Sequence, residues 1–458
     1  MTVWVLLMFV TLIVLLLLGY PVAFTLGAVG IVFGSVFLGT GIFDLLPLRI
    51  WGVMTNYTLL AVPLFIFMGI VLDKSGLAKE LLETMGLLCG RLRGGLALSV
   101  ILVGAVLGAT TGVVGATVVT MGVIALPTML KHNYSPQLAA GTIAAAGTLG
   151  QIIPPSVILI LLGDVMGVPV GRLFMGAVMP GMVLVMLYLI YIILLAWLKP
   201  GVGPAMQRIE SDKPVSMALF SLIPPLLLII CVLGSIFMGI ASPTESAAIG
   251  ALGAIILAVV NRKLTIKNLT DAVQLTTRLT SMVFVILIGA TTFSLVFRGM
   301  GGDRLVLEVM TSLPGGEWGF LIISMLLIFA LGFFLDFLEI CFIVVPILAP
   351  IAGIMGIDLL WLAILIAMNL QTSFLTPPFG FSLFYLKAVA PPEIKLHHIY
   401  TGVVPFVLIQ LVTLALLVIY PGITTWLPDM MDRIHGLCGV RSYSSLLTSL
   451  SSLHYAAS

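Results

Sequence analysis

The chain has 458 residues, 61% of them hydrophobic and only 8% charged, with a net charge of +2. Soluble domains carry about 25% charged residues, so this is a polytopic membrane protein whose solvent is the lipid bilayer. The near-neutral balance offers no basic surface to nucleic acid, and the four cysteines stand at no metal-ligand or redox spacing.

A span needs about 20 apolar residues. Val3–Leu18 is a short first span with no basic segment before it, so it reads as a retained helix and not a cleaved signal. Gly19-Tyr20-Pro21 breaks it, and Val22–Leu38 is the second span. Phe43–Tyr57 is interrupted by Asp44, Pro47 and Arg49 and suits a helix lying in the interface, with Trp51 at headgroup level. Leu59–Leu72 crosses again, and Asp73–Gly95 is a polar loop. Leu96–Leu130 is too long for one span across a core about 30 Å thick. Gly108, Gly112 and Gly115 surround Thr110-Thr111 near its middle. This pattern predicts a hairpin over 96–130 that enters and leaves on one side. One tilted span packing through its small residues is the plainer alternative.

The stretch Gly147-Thr148-Leu149-Gly150-Gln151-Ile152-Ile153-Pro154-Pro155-Ser156 falls inside the next apolar segment, 137–163. Two prolines delete two backbone donors, and the glycines loosen the helix further. Within a bilayer such a break is tolerated only where the freed groups meet protein, water or a ligand. Leu173–Leu198 is uninterrupted, and Lys199–Pro214 is a polar linker on the cytoplasmic side.

The second half repeats this outline after one extra span, Ser216–Ile240. Ser242-Pro243 follows Tyr20-Pro21 at an offset of 222, Pro350 follows Pro127 at 223, and Pro377 follows Pro154 at 223. Asn261–Ala272 is a basic amphipathic segment, Leu275–Phe297 crosses, and a second hairpin is expected over 320–349. A second broken helix over 359–387 contains Asn369-Leu370-Gln371-Thr372-Ser373-Phe374-Leu375-Thr376-Pro377-Pro378. The expected division is a first repeat over 1–198, the linker over 199–214 and a second repeat over 215–431. The Ser- and Leu-rich tail over 432–458 reads as a disordered extension or an artefact such as read-through. With two hairpins, Lys74, Lys79, Arg91, Arg93, Lys131, Lys199, Lys263, Lys267 and Lys387 collect on one face, and Arg49, Arg172, Arg298 and Arg304 on the other. The bias places the first face in the cytoplasm, the N-terminus in the periplasm, and the two repeats in inverted orientation. The fold class is therefore all-α and polytopic, with inverted repeats, two re-entrant helical hairpins and two broken helices.

Paired interrupted helices point to a transport site near the membrane midplane. Gly108, Thr110, Thr111, Gly112, Gly115, Thr148, Gln151 and Ser156 supply neutral oxygens and carbonyls in the first half. Gly332, Asp336, Gln371, Thr372, Ser373, Thr376 and Gly380 supply the second. Such hard oxygens suit a small alkali cation, and helix N-termini suit a carboxylate. Asp336 and Glu339 are costly at this depth; for Asp336 this favours an ion- or solute-binding role over a structural carboxylate capping a helix start, and for Glu339 the two readings stand level. For any single Thr or Ser, a bond to its own helix is the plainer reading. Asp164, Arg172, Glu245, Asp303 and Arg304 fall near span ends and suit interfacial roles. No nucleotide-binding, zinc-hydrolase or serine-hydrolase motif is present, so an ion gradient is the expected energy source.

Asn56-Tyr57-Thr58-Leu59-Leu60-Ala61-Val62-Pro63-Leu64-Phe65-Ile66-Phe67-Met68-Gly69, Gly108 to Thr117, Gly150 to Ser156 and Leu375-Thr376-Pro377-Pro378-Phe379-Gly380 resemble the large membrane subunit of tripartite ATP-independent periplasmic (TRAP) transporters, the DctM type. The resemblance implies an elevator-type secondary transporter in the bacterial inner membrane, with Na⁺-driven uptake of an organic acid. It implies two partners, a periplasmic substrate-binding protein and a small four-helix membrane subunit. It places Na⁺ near Gly112, Thr148 and Gln151 on one side, and near Asp336, Thr372 and Ser373 on the other; Gly108, Gly332, Gln371 and Thr376 join these sites by the pattern of oxygens above. Substrate is expected between the tips, near Thr110, Thr111, Gly115, Ser156, Asp336 and Gly380. A stand-alone Na⁺/anion symporter is the alternative within transporters. A membrane-embedded enzyme or scaffold is the alternative outside them.

Overall fold

A computed structural model describes residues 2–90, 92–112, 114–205, 215–312 and 314–437, and every regular element among them is helical. Helices α1 (Thr2–Leu17) and α2 (Val22–Phe37) are separated at Gly19, whose φ of +85° places it in the region that glycine tolerates best. A 3₁₀ turn (Thr40–Leu45) leads into α3 (Leu46–Met54), and another (Thr58–Leu60) into α4 (Ala61–Lys74); the two runs meet at 53°. Then come α5 (Leu77–Cys89), α6 (Gly95–Thr111), α7 (Val114–Lys131), α8 (Pro136–Thr148), α9 (Val157–Met166) and α10 (Val170–Leu198). The second half holds α11 (Val215–Phe237), α12 (Pro243–Val260), α13 (Ile266–Gly299), α14 (Gly302–Thr311) and α15 (Glu317–Leu331). It continues with α16 (Phe337–Ile343), α17 (Val345–Ile354), α18 (Leu359–Leu375), α19 (Phe381–Val389), α20 (Leu396–Ile419) and α21 (Gly422–Leu437). Among the described residues, α7, α10, α12, α13 and α20 are each long and apolar enough to cross a bilayer.

Helices α8 and α18 form the centre. From Leu138 to Thr148 every residue of α8 is buried, and so is every residue of α18 from Leu362 to Leu375. Helix α8 packs against α6, α7 and α20, while α18 packs against α9, α10, α15 and α20. Small residues allow this closeness, as they do in membrane helix pairs generally. A Cβ on Gly104 would lie 2.6 Å from that of Ala146, and Gly141 lies directly against the backbone of Gly402. The outer helices bury one face and turn Leu6, Val10, Ile31, Val36, Ile193 and Ile256 outward, as lipid-facing helices do.

The first expected hairpin corresponds to α6 and α7, which pack on each other and turn at Gly112 with φ +59°. The second corresponds to α15, α16 and α17. Its arms pack on different neighbours, α15 on α18 and α16–α17 on α9, and the outgoing arm bends by 49° at Val344.

Three local expectations need correction. The polar stretch 73–95 is not all loop: α5 forms within it and buries Leu81, Leu82 and Met85. The amphipathic segment 261–272 is not a separate interfacial helix. It runs on into the following span as the 34-residue α13, capped by Thr265, because no Gly or Pro interrupts Ile266 to Ile288. The tail does not begin at Asp432, since α21 carries on to Leu437. Asp429 and Asp432 reach Arg172 at 3.7 and 3.4 Å, which ties α21 to α10. Residues 438–458, and 206–214 of the linker, lie outside the described residues. The Arg172 pairs are about half exposed, so Arg172→Ala should lower thermal stability by less than about 1 kcal/mol and leave transport unchanged. A melting curve and an uptake assay on the same preparation check both.

Asp164, Glu245 and Asp303, also near span ends, have local partners. Asn56 donates to Asp164 at 2.6 Å, Glu245 closes a capping box with Ser242, and Arg298 pairs with Asp303 at 3.5 Å.

Candidate functional site where two broken helices cross

Helix α8 ends at Thr148, tightens into a 3₁₀ turn over Leu149–Gln151 and restarts as α9 only at Val157. Helix α18 ends at Leu375 and restarts as α19 at Phe381. Proline accounts for both gaps, because it has no N–H to give and its ring clashes with the preceding turn. Both Pro-Pro bonds, Pro154-Pro155 and Pro377-Pro378, are cis.

The two breaks meet. Gln371 Nε2 lies 3.5 Å from Thr148 Oγ1, a long contact between residues 223 positions apart. That separation equals the offset relating Pro154 to Pro377. The contact is therefore between repeat-equivalent positions, as expected on the axis relating two halves of an internal repeat.

The first tip reaches the first break. A Cβ on Gly108 would lie 2.6 Å from Gly150 N and 2.7 Å from Gly150 Cα, so backbone touches backbone there. Helix α4 is equally close: a Cβ on its Gly69 would lie 2.5 Å from Thr111 Cα. The second tip reaches the second break, with Gly332 against the side chain of Ser373. Gly380 sits with its missing Cβ position 2.5 Å from Phe374 O, inside the turn that restarts α19.

The hydroxyls follow one rule. Thr110 and Thr111 both donate to Leu107 O, Thr148 to Ala145 O, Ser156 to Gln151 O, Thr372 to Met368 O, Ser373 to Leu370 O and Thr376 to Thr372 O, at 2.7–2.9 Å. Each is thus bonded to its own helix or turn, the plainer of the two readings. The same bonds have a chemical consequence. A hydroxyl whose proton is committed to a carbonyl presents only lone pairs to anything else, which is what a cation requires.

The amides differ. Gln151 is fully buried, yet neither its Oε1 nor its Nε2 has a hydrogen-bond partner. Gln371 is fully buried with Oε1 unpartnered. Leaving such a group unpaired costs about 1–3 kcal/mol, and native chains do so where water or an ion completes the site. Gln151 and Gln371 are therefore the polar groups here that packing alone does not explain.

Asp336 is the N-cap of α16. It accepts from Phe337 N–H at 2.7 Å, and Glu339 accepts from Asp336 N–H at 3.1 Å. The structural capping role is thus present, and it orients the carboxylate at the second tip. Asp336 and Ser156 are not bonded directly to the Gln151 and Gln371 amides.

Sequence reasoning missed Tyr385. Its ring covers Gly115, whose Cβ position would lie 3.1 Å from Cζ, and it is within Coulombic reach of Asp336. The phenol thus stands at the first tip. It also missed Tyr400, which donates to the Pro378 carbonyl at 2.8 Å and occupies one of the groups freed by the second break. Neither residue has a local pattern that could have revealed it; both arrive by tertiary packing.

Residues 9–423 match the family described as Tripartite ATP-independent periplasmic transporter, DctM component. The chain belongs to this family. This DctM chain is 29% identical over 451 residues to the C4-dicarboxylate TRAP transporter large permease protein DctM of Vibrio cholerae, covering 93% of this chain and 97% of that protein. It is 30% identical over 430 residues to the ectoine TRAP transporter large permease protein TeaC of Halomonas elongata, covering 93% and 99%. The sialic acid TRAP transporter large permease protein SiaM of Vibrio cholerae is 29% identical over 427 residues, covering 91% and 96%. Among solved structures, the Alcanivorax borkumensis YdaH transporter superposes with a TM-score of 0.63, covering 92% of this chain and 98% of that one. At 14% identity this establishes a shared fold alone. The DctM chain is thus a multi-pass transporter permease and not an enzyme.

Proposed function

We propose that this DctM subunit couples Na⁺ entry to uptake of an organic acid across the bacterial inner membrane. The observation that carries this reading is the crossing of the two breaks, where both amide atoms of Gln151 and the Oε1 of Gln371 lack partners beside hydroxyls that can only accept. Thr148 and Gln151 would contribute oxygens on one side of the crossing. Gln371, Thr372 and Ser373 would contribute them on the other. The acid would bind between the tips, near Thr110, Thr111, Gly115, Asp336 and Tyr385. Relatives named for C4-dicarboxylate, sialic acid and ectoine define the first panel of solutes to try.

In this reading the tips and broken helices move together as an elevator past α4 and α13. A periplasmic binding protein delivers the solute, and a small membrane subunit widens the scaffold. The N-terminus is periplasmic, following the bias of Lys and Arg to one face. Reconstitution with both partners tests the proposal. Uptake should require an inward Na⁺ gradient and the binding protein together. Equal uptake with a K⁺ gradient, or without the binding protein, would count against it.

Asp336→Asn separates the two roles of that residue. Asparagine caps a helix as well as aspartate does, so the folded yield should hold. The charge is lost, and a charged hydrogen bond is worth about 1.5–3 kcal/mol, so uptake should fall roughly ten- to hundredfold. Wild-type uptake at wild-type yield would leave Asp336 as a cap only.

A further inference from the structure

A groove of about 510 Å³ lies between α5, α6 and α7, and none of its lining residues belongs to the crossing of the breaks. Its floor is apolar and buried, made by Leu82, Leu96, Val100, Ala125 and Met129. Gly86 keeps that floor open, since a Cβ there would lie 3.2 Å from Leu96 Cδ2. Val123, on the lip, is 56% exposed, so the groove opens outward past an apolar edge. The polar residues are Lys79, Glu83, Thr128 and His132, with Lys131 one position before His132.

Lys79 is only loosely engaged. Its pair with Glu83 spans 3.9 Å, and both side chains are more than half exposed, so the ammonium keeps most of its bonding capacity. Thr128 donates to Ile124 O at 3.0 Å, and its oxygen remains an acceptor. The groove therefore joins a hydrocarbon-lined interior to a polar edge where the Lys79 ammonium, the Glu83 carboxylate and the His132 imidazole stand together, with Lys131 beside them. Basic pockets between membrane helices favour anionic lipid headgroups, and an apolar trough beside one suits an acyl chain.

We propose that this groove binds one anionic phospholipid, with its phosphate at Lys79 and His132 and an acyl chain along Leu96, Val100 and Met129. The lipid would bear on both arms of the first hairpin and on α5, the link from α4 to that hairpin. Bilayer composition would then act on the hairpin without touching the residues assigned to solute and ion.

The test uses the full-length subunit, purified and delipidated, with bound lipid counted by native mass spectrometry. Phosphatidylglycerol, phosphatidylethanolamine and oleate are the probes. Phosphatidylglycerol should bind at one copy, about fivefold more tightly than phosphatidylethanolamine, the preference that one lysine supplies. Lys79→Gln with His132→Gln should erase that preference, and both positions are accessible enough to spare the fold. Thr128→Phe should fill the trough and displace both phospholipids, with its elution profile and melting curve showing that it is folded. Equal binding of phosphatidylglycerol and phosphatidylethanolamine by the wild type would overturn the proposal. So would undiminished phosphatidylglycerol binding by Thr128→Phe, or oleate binding as tight as phosphatidylglycerol.

Discussion

Gln151→Leu should raise the Na⁺ requirement of uptake at least about tenfold while making the Na⁺-free protein more stable. The two effects have one cause. Gln151 is fully buried with both amide atoms unpartnered, so in the absence of a ligand it contributes only a desolvation cost of about 1–3 kcal/mol. Leucine has a similar volume and removes that cost. It also removes an oxygen from the proposed ion site, so the Na⁺ concentration for half-maximal uptake should rise at least about tenfold. Melting curves in Na⁺-free buffer and uptake at graded Na⁺ read the two arms separately. A purely structural glutamine predicts a different outcome: lower stability and an unchanged Na⁺ dependence.

The second large effect concerns space. In Gly108→Ala the new methyl would lie 2.6 Å from Gly150 N, and the reverse change, Gly150→Ala, would lie 2.8 Å from Gly108 Cα. Both neighbours are backbone, so no side chain can swing away. Overpacking of this kind costs about 1–3 kcal/mol and shifts the elements that carry it. Here the shifted elements are the first tip and the first break, so uptake should be lost even where the protein still folds. Gly353→Ala is the matched control, because it lies inside α17 with nothing within 4 Å of its Cβ position. It should be neutral or stabilising by up to about 1 kcal/mol. Comparable losses in the two variants would show that the Gly108 contact has no special role.

Sequence and structure diverge for identifiable reasons. The two breaks were legible because Pro-Pro has no helical alternative, and the first hairpin was legible because glycines cluster where an apolar stretch exceeds the bilayer. Asp336-Phe337-Leu338-Glu339 also carries a cap signature in its spacing, which is the geometry found. Helix α5 was hidden because its charged residues look like a loop, although Leu81, Leu82 and Met85 meet the core. The junction at the start of α13 was misplaced because basic residues suggested a boundary where no helix breaker exists. The 223-residue offset predicted equivalent halves. It did not predict that Thr148 and Gln371 would touch, because contact across an axis depends on how the halves dock. Tyr385 and Tyr400 lay beyond sequence reasoning for the same reason.

The most direct measurement is Na⁺ binding to the purified subunit, read as thermal stabilisation against K⁺ and choline at equal ionic strength. A ligand that binds the native state alone stabilises it by about 2.7 kcal/mol at a hundred times its dissociation constant. Na⁺ alone should therefore raise the melting temperature in a saturable way, and Gln151→Leu should need at least about tenfold more Na⁺ for the same rise. Equal stabilisation by Na⁺ and K⁺, or a Gln151→Leu protein that responds like the wild type, would contradict a sodium site at the crossing of the two breaks.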